Sequence, residues 1–259
     1  MKKLAVTFLA VVVLVYVGIC TMLYVAQRAL LYFPMRETEN AHAEVVRIDN
    51  GGTSLKIWHL PNASQHAILY FGGNAENVAW NIEDFATMFP GTAVYLVNYR
   101  GYAGSAGAPS ESALFQDAEA VYDYVRASYP AISVIGRSLG SGVAVHLASV
   151  RDVRKLALVT PYDSVENVAK SHFSMFPVSF LLKDKYDSFG RASRVGVPTL
   201  VLIAEHDRVI PRRHSERLVS AFAPAQVEVR VIEAASHDSI SDSPEYQNAL
   251  SGFLLAADR

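Results

Sequence analysis

The segment AISVIGRSLGSGVAVHLASV (Ala131 to Val150) decides the fold of this chain. It begins as an apolar, β-branched run and continues with the periodicity of a helix. At the junction, GRSLG (Gly136 to Gly140) matches the pattern G-x-S-x-G, with Ser138 at its centre. The two glycines permit a sharp strand-to-helix turn that exposes a serine hydroxyl at a helix N-terminus. The pattern predicts a nucleophilic Ser138, and its alternative is a glycine-rich turn without catalysis.

A serine hydroxyl becomes a good nucleophile only when a base removes its proton and a carboxylate orients that base. Two later segments supply these groups just past apolar runs: PTLVLIAEHDRVIP contains Asp207, and VEVRVIEAASHDSI contains His237. The chain order Ser138, Asp207, His237 is that of an α/β-hydrolase. We therefore predict these three residues as a catalytic triad.

Three other carboxylates compete with Asp207 for the role of the acid. Glu205 lies closer to the end of the same apolar run, and Asp238 adjoins His237 in sequence. Asp163, in TPYDSV, follows the preceding strand and is the substitute acid if Asp207 is not used. Of the eight histidines, His237 is the one placed after the last predicted strand.

Acyl transfer also needs hydrogen-bond donors for the oxyanion of the tetrahedral intermediate. The backbone N–H of Leu139, immediately after the nucleophile, is one predicted donor. The second is expected from the loop FGGNAEN (Phe71 to Asn77), whose small residues let the backbone approach a substrate. We assign this donor to the N–H of Asn74, with Gly73 as the alternative.

Outward from the central motif, apolar runs alternate with helix-period segments. The candidate strands are 44–49, 54–60, 66–71, 92–99, 131–136, 155–160, 198–204 and 227–233, and the candidate helices are 77–89, 110–128, 139–150, 212–222 and 244–257. Asn50, Gly51 and Gly52 between the first two strands indicate a hairpin. Continuous apolar strands alternating with helices predict an α/β fold with a mostly parallel eight-stranded sheet and helices on both faces. Residues 161–195, between two strands, are longer than a simple crossover and predict a small cap.

The first 35 residues have a different character. The 24 residues from Leu4 to Gln27 carry no charge, and as a helix they would reach about 36 Å, enough to cross a bilayer. We predict a single transmembrane signal-anchor and linker over residues 1–35, followed by a hydrolase domain over residues 36–259. A cleaved secretory signal is the alternative. Lys2 and Lys3 favour a cytoplasmic N-terminus, which would place the hydrolase domain in the periplasm of a bacterial inner membrane.

Composition excludes several other classes of protein. The chain has 259 residues, 51% of them hydrophobic, which rules out a disordered protein. Lys and Arg number 23 against 25 Asp and Glu, and this balance argues against nucleic-acid binding. The single cysteine, Cys20, leaves no disulfide framework and no cysteine-based metal site. We expect neither a metal nor an organic cofactor, and the sequence predicts no oligomeric state.

The strings YFGGNAEN, NYRGYAGSAGAPSE, GRSLGSGVA, PYDSVENVA, AEHDRVIP and SHDSI resemble the membrane-anchored α/β-hydrolases related to Bem-type proteins and to eukaryotic protein depalmitoylases. The resemblance extends from about Gln27 to the end of the chain. It implies a triad of Ser138, Asp207 and His237, and an oxyanion hole formed by the amides of Asn74 and Leu139. One departure is that the family usually has His-Gly-Asn where this chain has Gly72, Gly73 and Asn74.

These observations predict a serine esterase or thioesterase acting on an acyl or lipid-like substrate near a membrane. The cap contributes six apolar side chains that could form an acyl groove or pack among themselves: Phe173, Met175, Phe176, Phe180, Leu181 and Leu182. A peptidase or amidase on the same fold would use the same triad. The alternative from another class is a membrane-tethered binding protein without turnover.

Overall fold

The computed structural model describes residues 1–40 and 42–257. Its centre is an eight-stranded sheet with the strand order β1-β2-β4-β3-β5-β6-β7-β8. The strands are β1 (Glu44–Asn50), β2 (Thr53–Leu60), β3 (His66–Phe71), β4 (Ala93–Val97), β5 (Ala131–Arg137), β6 (Leu156–Val159), β7 (Thr199–Ala204) and β8 (Val227–Ile232). Strands β4, β3, β5, β6, β7 and β8 run parallel to one another, and β2 is antiparallel to both β1 and β4. The α/β-hydrolase fold and the mostly parallel eight-stranded sheet predicted from the sequence are confirmed.

Nine α-helices accompany this sheet among the described residues; helices pack on both of its faces, whereas most side chains of the N-terminal helix are exposed. The nine helices are α1 (Lys2–Leu31), α2 (Ile82–Met88), α3 (Glu111–Arg126), α4 (Leu139–Val150), α5 (Val165–His172), α6 (Val178–Leu181), α7 (Phe189–Ala192), α8 (Arg212–Val219) and α9 (Pro244–Leu255). The helix predicted over 77–89 is divided into a 3-10 turn, Val78–Asn81, and α2, because Asn77 caps the 3-10 turn through its side chain. The side chain of Ser110 accepts a hydrogen bond from Ala113 N–H and fixes the start of α3.

The predicted hairpin joins β1 to β2. Asn50 pairs with Thr53, and Gly51 and Gly52 between them have φ angles of 59° and 81°. A two-residue turn with positive φ at both positions matches the twist of the flanking strands, and glycine adopts it without steric cost. The hairpin therefore sets the register of the antiparallel edge from local sequence alone.

Two hydrophobic clusters lie on opposite faces of the sheet, as expected for parallel strands buried on both sides. One is built around α3 and α4 and includes Leu69, Val134 and Val143. The other lies beneath α2 and α9 and includes Ile68 and Ile135. Because alternate residues of β3 and β5 point to opposite faces, both strands are buried along most of their length.

Among the described residues, α1 alone is long and apolar enough to cross a membrane. Most of its apolar side chains are exposed, whereas Gln27 near its C-terminal end is buried. Tyr32, directly after the helix, is only 3% exposed and belongs to the core, so it cannot serve as an interfacial aromatic residue. Phe33 remains exposed.

Candidate active site

Ser138 lies between β5 and α4, at the turn that the sequence predicted. Its φ of 50° and ψ of −116° fall outside the regions favoured by L-residues, and such a conformation costs about 1–3 kcal/mol. Its N–H donates to the carbonyl oxygen of Val159 at 2.9 Å, which fixes the turn against the neighbouring strand β6. The surrounding structure thus holds the serine in a strained elbow at the N-terminus of α4.

The two glycines of the motif are required by close approaches of the backbone. A Cβ on Gly140 would lie 2.0 Å from the carbonyl oxygen of Phe71, at the end of β3. A Cβ on Gly136 would lie 2.5 Å from both the Cβ of Ala144 and the carbonyl oxygen of Gly140. Helix α4 therefore packs directly onto the strand ends, which a larger residue at either position would prevent.

His237 and Asp207 meet Ser138 at the carboxyl ends of the parallel strands. His237 Nε2 lies 2.9 Å from Ser138 Oγ, and His237 Nδ1 lies 2.7 Å from Asp207 Oδ2. The other carboxylate oxygen of Asp207 accepts hydrogen bonds from the N–H groups of Val209 and Ile210, at 2.9 and 2.7 Å. The Asp207 side chain is 3% exposed and that of His237 is 11% exposed. Both imidazole nitrogens therefore have partners, as a base acting on a serine requires.

The three competing carboxylates are engaged elsewhere or face solvent. Glu205 accepts a hydrogen bond from the N–H of Ala234. Asp163 accepts from His214, and Asp238 is exposed beside the site. Within the part of the chain that the structure describes, Asp207 is therefore the carboxylate that contacts His237.

The loop after β3 passes in front of Ser138. Glu76 in this loop accepts a hydrogen bond from the N–H of Gly73 at 2.6 Å, so the Gly73 amide is not free to bind an oxyanion. Glu76 also accepts from Tyr70 Oη and Asn81 Nδ2, at 2.6 and 2.7 Å, and lies 3.5 Å from Arg137. This buried carboxylate organises the loop, and no sequence pattern indicated its role.

The side chain of Asn74 joins this loop to the end of α1. Its Nδ2 donates to the carbonyl oxygen of Leu31 at 2.6 Å, and its Oδ1 accepts from Phe33 N–H and Tyr102 Oη, at 3.0 and 2.8 Å. Its own backbone N–H has no acceptor among the described residues. Leu139 occupies the first position of α4, where a backbone N–H lacks a partner within its own helix.

Gly72 occupies the position at which the family that the sequence resembles usually has histidine. A Cβ on Gly72 would lie 2.7 Å from Val78 Cγ1, closer than packing allows without a shift. Its carbonyl oxygen accepts a hydrogen bond from Tyr99 Oη at 2.7 Å. Packing against Val78 and the bond from Tyr99 hold this part of the loop without a side chain at position 72.

Arg137 braces the loop that carries His237. Its guanidinium donates to the carbonyl oxygens of His237 and Asp238, at 3.4 and 3.2 Å, and faces Glu76 on its other side. Burial by itself would lower the pKa of Arg137. The nearby negative charge of Glu76 opposes this effect, and the pKa of Arg137 is raised. The charged residue of the G-x-S-x-G motif thus links the histidine loop to the loop after β3, a role the sequence did not reveal.

A polar cleft of about 360 Å³ opens at Ser138. Its lining combines the loop after β3 with the histidine loop: Gly73, Asn74, Ala75, Glu76, Trp80, Asn81, Asp84, Arg137, Ser138, His237, Asp238 and Ser241. Polar and charged groups dominate this lining, so the cleft suits the polar portion of a substrate. Over residues 1–40 and 42–257, no cluster of three or more His, Cys, Asp or Glu side chains could hold a metal ion.

A second group of the same three residue types lies outside the cleft. His214 Nδ1 is 2.8 Å from Asp163 Oδ1, and His214 Nε2 is 3.3 Å from Ser171 Oγ. We call Ser171, His214 and Asp163 the second cluster. It joins α5 to α8.

The chain is similar to known proteins in both sequence and structure. The model of the serine hydrolase family FSH1 matches residues 77–237. An uncharacterized protein of Mycobacterium tuberculosis is 35% identical over 234 residues, covering 85% of this chain and 83% of that protein. The lysophosphatidylserine lipase ABHD12 of Macaca fascicularis is 31% identical over 225 residues, covering 74% of this chain and 56% of the lipase.

Among solved structures, the esterase Pf2001 of Pyrococcus furiosus superposes with a TM-score of 0.72 at 19% sequence identity. The match covers 86% of this chain and 98% of the esterase. At this level of identity the likeness shows the shared fold.

Proposed function

The chain belongs to the serine hydrolase (FSH1) family, and from this premise we propose a membrane-anchored serine hydrolase that cleaves an acyl ester or thioester of a lipid-like substrate. Ser138, His237 and Asp207 form its catalytic triad. The observation that carries the proposal is the pair of hydrogen bonds made by the His237 imidazole. Its Nδ1 lies 2.7 Å from Asp207 Oδ2, and its Nε2 lies 2.9 Å from Ser138 Oγ.

In this mechanism, Ser138 Oγ attacks the acyl carbonyl while His237 Nε2 takes the hydroxyl proton. The tetrahedral intermediate collapses, the carbon–oxygen or carbon–sulfur bond to the leaving group breaks, and His237 returns the proton to the departing alcohol or thiol. Water then attacks the acyl-enzyme while His237 takes a proton from it; the bond between the acyl carbon and Ser138 Oγ breaks, His237 returns the proton to Ser138 Oγ, and the carboxylic acid leaves. Asp207 keeps Nδ1 protonated and stabilises the imidazolium.

The backbone N–H groups of Leu139 and Asn74 bind the developing oxyanion. Support comes from the position of Leu139 at the start of α4 and from the engagement of the competing Gly73 amide by Glu76. A single donor of this type contributes about 10²–10³ in kcat. Donors held before the reaction need no reorganisation when charge develops.

The substrate we propose combines one acyl chain with a polar head. The polar cleft beside Ser138 favours the head, and the name of the 31%-identical lysophosphatidylserine lipase is consistent with this class. Lysophospholipids and monoacylglycerols are therefore the first substrates to test, with acyl thioesters next.

Membrane anchoring by α1 is part of the proposal, as is membership in the membrane-anchored subgroup related to Bem-type proteins and protein depalmitoylases. Residues 1–35 form the anchor and linker, and residues 36–259 the hydrolase domain with its cap. Lys2 and Lys3 favour a cytoplasmic N-terminus and a periplasmic hydrolase domain in a bacterial inner membrane. The apolar length of α1 supports this arrangement.

The experiment that tests the triad is labelling of the full-length, detergent-solubilised protein with a fluorophosphonate probe, which reports an activated serine without presuming a substrate. We expect labelling of the wild type, and its loss in Ser138→Ala and His237→Ala. Ser171→Ala is the matched control, because Ser171 also contacts a histidine that is bonded to an aspartate. Undiminished labelling of Ser138→Ala would disprove the assignment.

The bond that is cleaved is tested with a panel of long-acyl esters, long-acyl thioesters and peptide amides. We expect the highest kcat/KM on a long-acyl ester or thioester. Preference for amides would favour a peptidase on the same fold. A wild type that neither labels nor hydrolyses any of them would favour the membrane-tethered binding protein.

A further inference from the structure

The segment that follows α5 and includes α6 runs alongside α1. We call residues 173–182, with the sequence FSMFPVSFLL, the cap tip; it carries no charged residue. Tyr16 Oη donates to the carbonyl oxygen of Met175 at 2.9 Å, and the Tyr16 ring stacks on Phe176 with centroids 6.0 Å apart. At the other end of the tip, Gln27 Nε2 donates to the carbonyl oxygen of Leu181 at 2.9 Å. The cap tip is therefore attached along about 16 Å of α1, from Tyr16 to Gln27.

Three large apolar side chains of the cap tip are exposed instead of packed against the rest of the chain. Phe173, Met175 and Phe180 are 58%, 73% and 87% exposed. They continue the exposed apolar surface of α1, including Tyr24 and Val25. Contiguous exposed apolar surface of this kind marks an interaction site.

Charged residues mark the end of this apolar region. Lys183 Nζ lies 4.0 Å from the centroid of the Tyr24 ring, and Arg28 forms an ion pair with Asp184 at 2.9 Å. A tyrosine with neighbouring cationic side chains is typical of the membrane–water interface. The interface is thereby fixed near the level of Tyr24 to Arg28.

The length of α1 rules out a bilayer whose hydrocarbon core lies entirely on the N-terminal side of the α1 residues that contact the cap tip. In that case only the segment from Leu4 to Val15 would remain, which reaches about 18 Å, whereas the hydrocarbon core measures about 30 Å. The full uncharged run from Leu4 to Gln27 reaches about 36 Å. A membrane-spanning α1 therefore requires the cap tip to share the hydrocarbon with it.

In this arrangement, two polar side chains of α1 supply hydrogen bonds to the backbone of the cap tip and the residue after it. Backbone carbonyls at membrane depth need internal hydrogen-bond donors, because lipid supplies none. Tyr16 and Gln27 donate to the tip carbonyls of Met175 and Leu181, and Gln27 Oε1 accepts from the N–H of Lys183 at 2.6 Å. Each polar group on this face of α1 thus satisfies the backbone of the chain beside it.

We propose that the cap tip inserts into the bilayer leaflet next to α1 and contacts lipid acyl chains through Phe173, Met175 and Phe180. This proposal rests on the proposed anchoring by α1. The enzyme thereby holds the membrane at two points, and its cap meets acyl chains within the leaflet where the proposed substrates reside.

The test uses the full chain with Cys20→Ser, reconstituted in phosphatidylcholine vesicles, with single cysteines carrying the fluorophore NBD. The test positions are Met175→Cys and Phe180→Cys. Val12→Cys reports α1 itself, and Tyr124→Cys, on an exposed part of α3, is the aqueous control. The readouts are the NBD emission wavelength and quenching by lipids that carry a doxyl group on the acyl chain, and fluorophosphonate labelling identifies folded variants.

We expect NBD at Met175 and Phe180 to be blue-shifted and quenched by doxyl lipid at least about twofold more than at Tyr124, as at Val12. Quenching at Val12 without quenching at the tip would overturn tip insertion and leave the anchor intact. Absence of quenching at both Val12 and the tip positions would overturn the anchoring by α1 as well as the insertion of the cap tip. If the tip positions are blue-shifted but unquenched, and the same cysteine variants without NBD cross-link between copies, this surface is a contact between two chains and the proposal is overturned.

Discussion

Two groups of serine, histidine and aspartate have nearly the same hydrogen-bond geometry in this molecule. Around His237 the distances to aspartate and serine are 2.7 and 2.9 Å, and around His214, in the second cluster, they are 2.8 and 3.3 Å. Only the first group meets the other requirements of acyl transfer. The comparison shows which features separate a predicted catalytic triad from a structural contact.

The serines differ most in their backbone. Ser138 is held at positive φ at the start of α4, beside the amides of Leu139 and Asn74, which have no acceptor in the part of the chain that the structure describes. Ser171 lies in the last turn of α5, and its hydroxyl donates to the carbonyl oxygen of Val168 at 2.8 Å. The Ser171 proton therefore points away from His214, and that serine has no helix N-terminus behind it.

The aspartates differ in their partners. Asp207 gives one oxygen to His237 and the other to backbone N–H groups of its own loop. Asp163 is bonded to His214, to Asn167 Nδ2 at 2.7 Å and to the N–H of Ser164, and lies 3.4 Å from Arg217. Asp163 thus ties the start of α5 to α8. We interpret the second cluster as a clamp that holds α5 against α8.

The largest expected effect comes from replacing the aspartate of each group by asparagine, in two separate variants. Asp207→Asn should lower kcat/KM by about 10³–10⁴, because Nδ1 loses the carboxylate that fixes the tautomer of His237. Asp163→Asn should leave kcat/KM within about threefold but destabilise the fold by about 1–3 kcal/mol, since buried donors lose their acceptor. Ester hydrolysis and urea unfolding of both variants measure the two effects. An equal loss of activity in both would abolish the distinction between the clusters.

A smaller effect is expected at Asn74, the residue without a counterpart in the second cluster. Asn74→Ala keeps the backbone N–H but removes the side-chain bonds to Leu31, Phe33 and Tyr102. We expect kcat to fall about 10–100-fold with little change in KM, because a displaced donor weakens binding of the oxyanion alone. Asn167→Ala, which removes a side-chain hydrogen bond to Asp163 of the second cluster, is the control and should leave kcat unchanged. A rise in KM at constant kcat would instead make Asn74 a substrate-binding residue.

The smallest effect concerns the helix that carries Ser171. A hydrogen bond from Lys170, followed by one from Ser179, lowers the pKa of Glu166 from 4.5 to about 2. A carboxylate with a depressed folded-state pKa stabilises the fold above pH 4.5, and this contribution is lost as the pH falls toward 2.

Glu166→Gln should therefore reduce stability by less than about 1 kcal/mol near neutral pH, and the difference from wild type should shrink as the pH falls below 4.5. Thermal unfolding of both proteins across this range measures the change. A difference in Tm that does not vary with pH would show that the ionisation of Glu166 contributes nothing.

Local sequence was sufficient to predict much of the molecule. The elbow at Ser138 follows from two glycines between a β-branched run and a helical run, and the hairpin at Gly51 and Gly52 follows from positive-φ preferences. The alternation of apolar strands and helices predicts a parallel sheet, because each pattern reflects which face is buried. The order of Ser138, Asp207 and His237 indicated which residues to place together.

Only the tertiary structure decided the contacts between distant segments. It paired Asp163 with His214 and placed Arg137 against the His237 loop. It also brought the cap tip to α1, over separations of more than a hundred residues. These contacts depend on where the chain path brings two segments together, and polar side chains with several partners in reach show no periodicity in sequence. Apolar periodicity is a local property, whereas the choice of a polar partner is settled by packing.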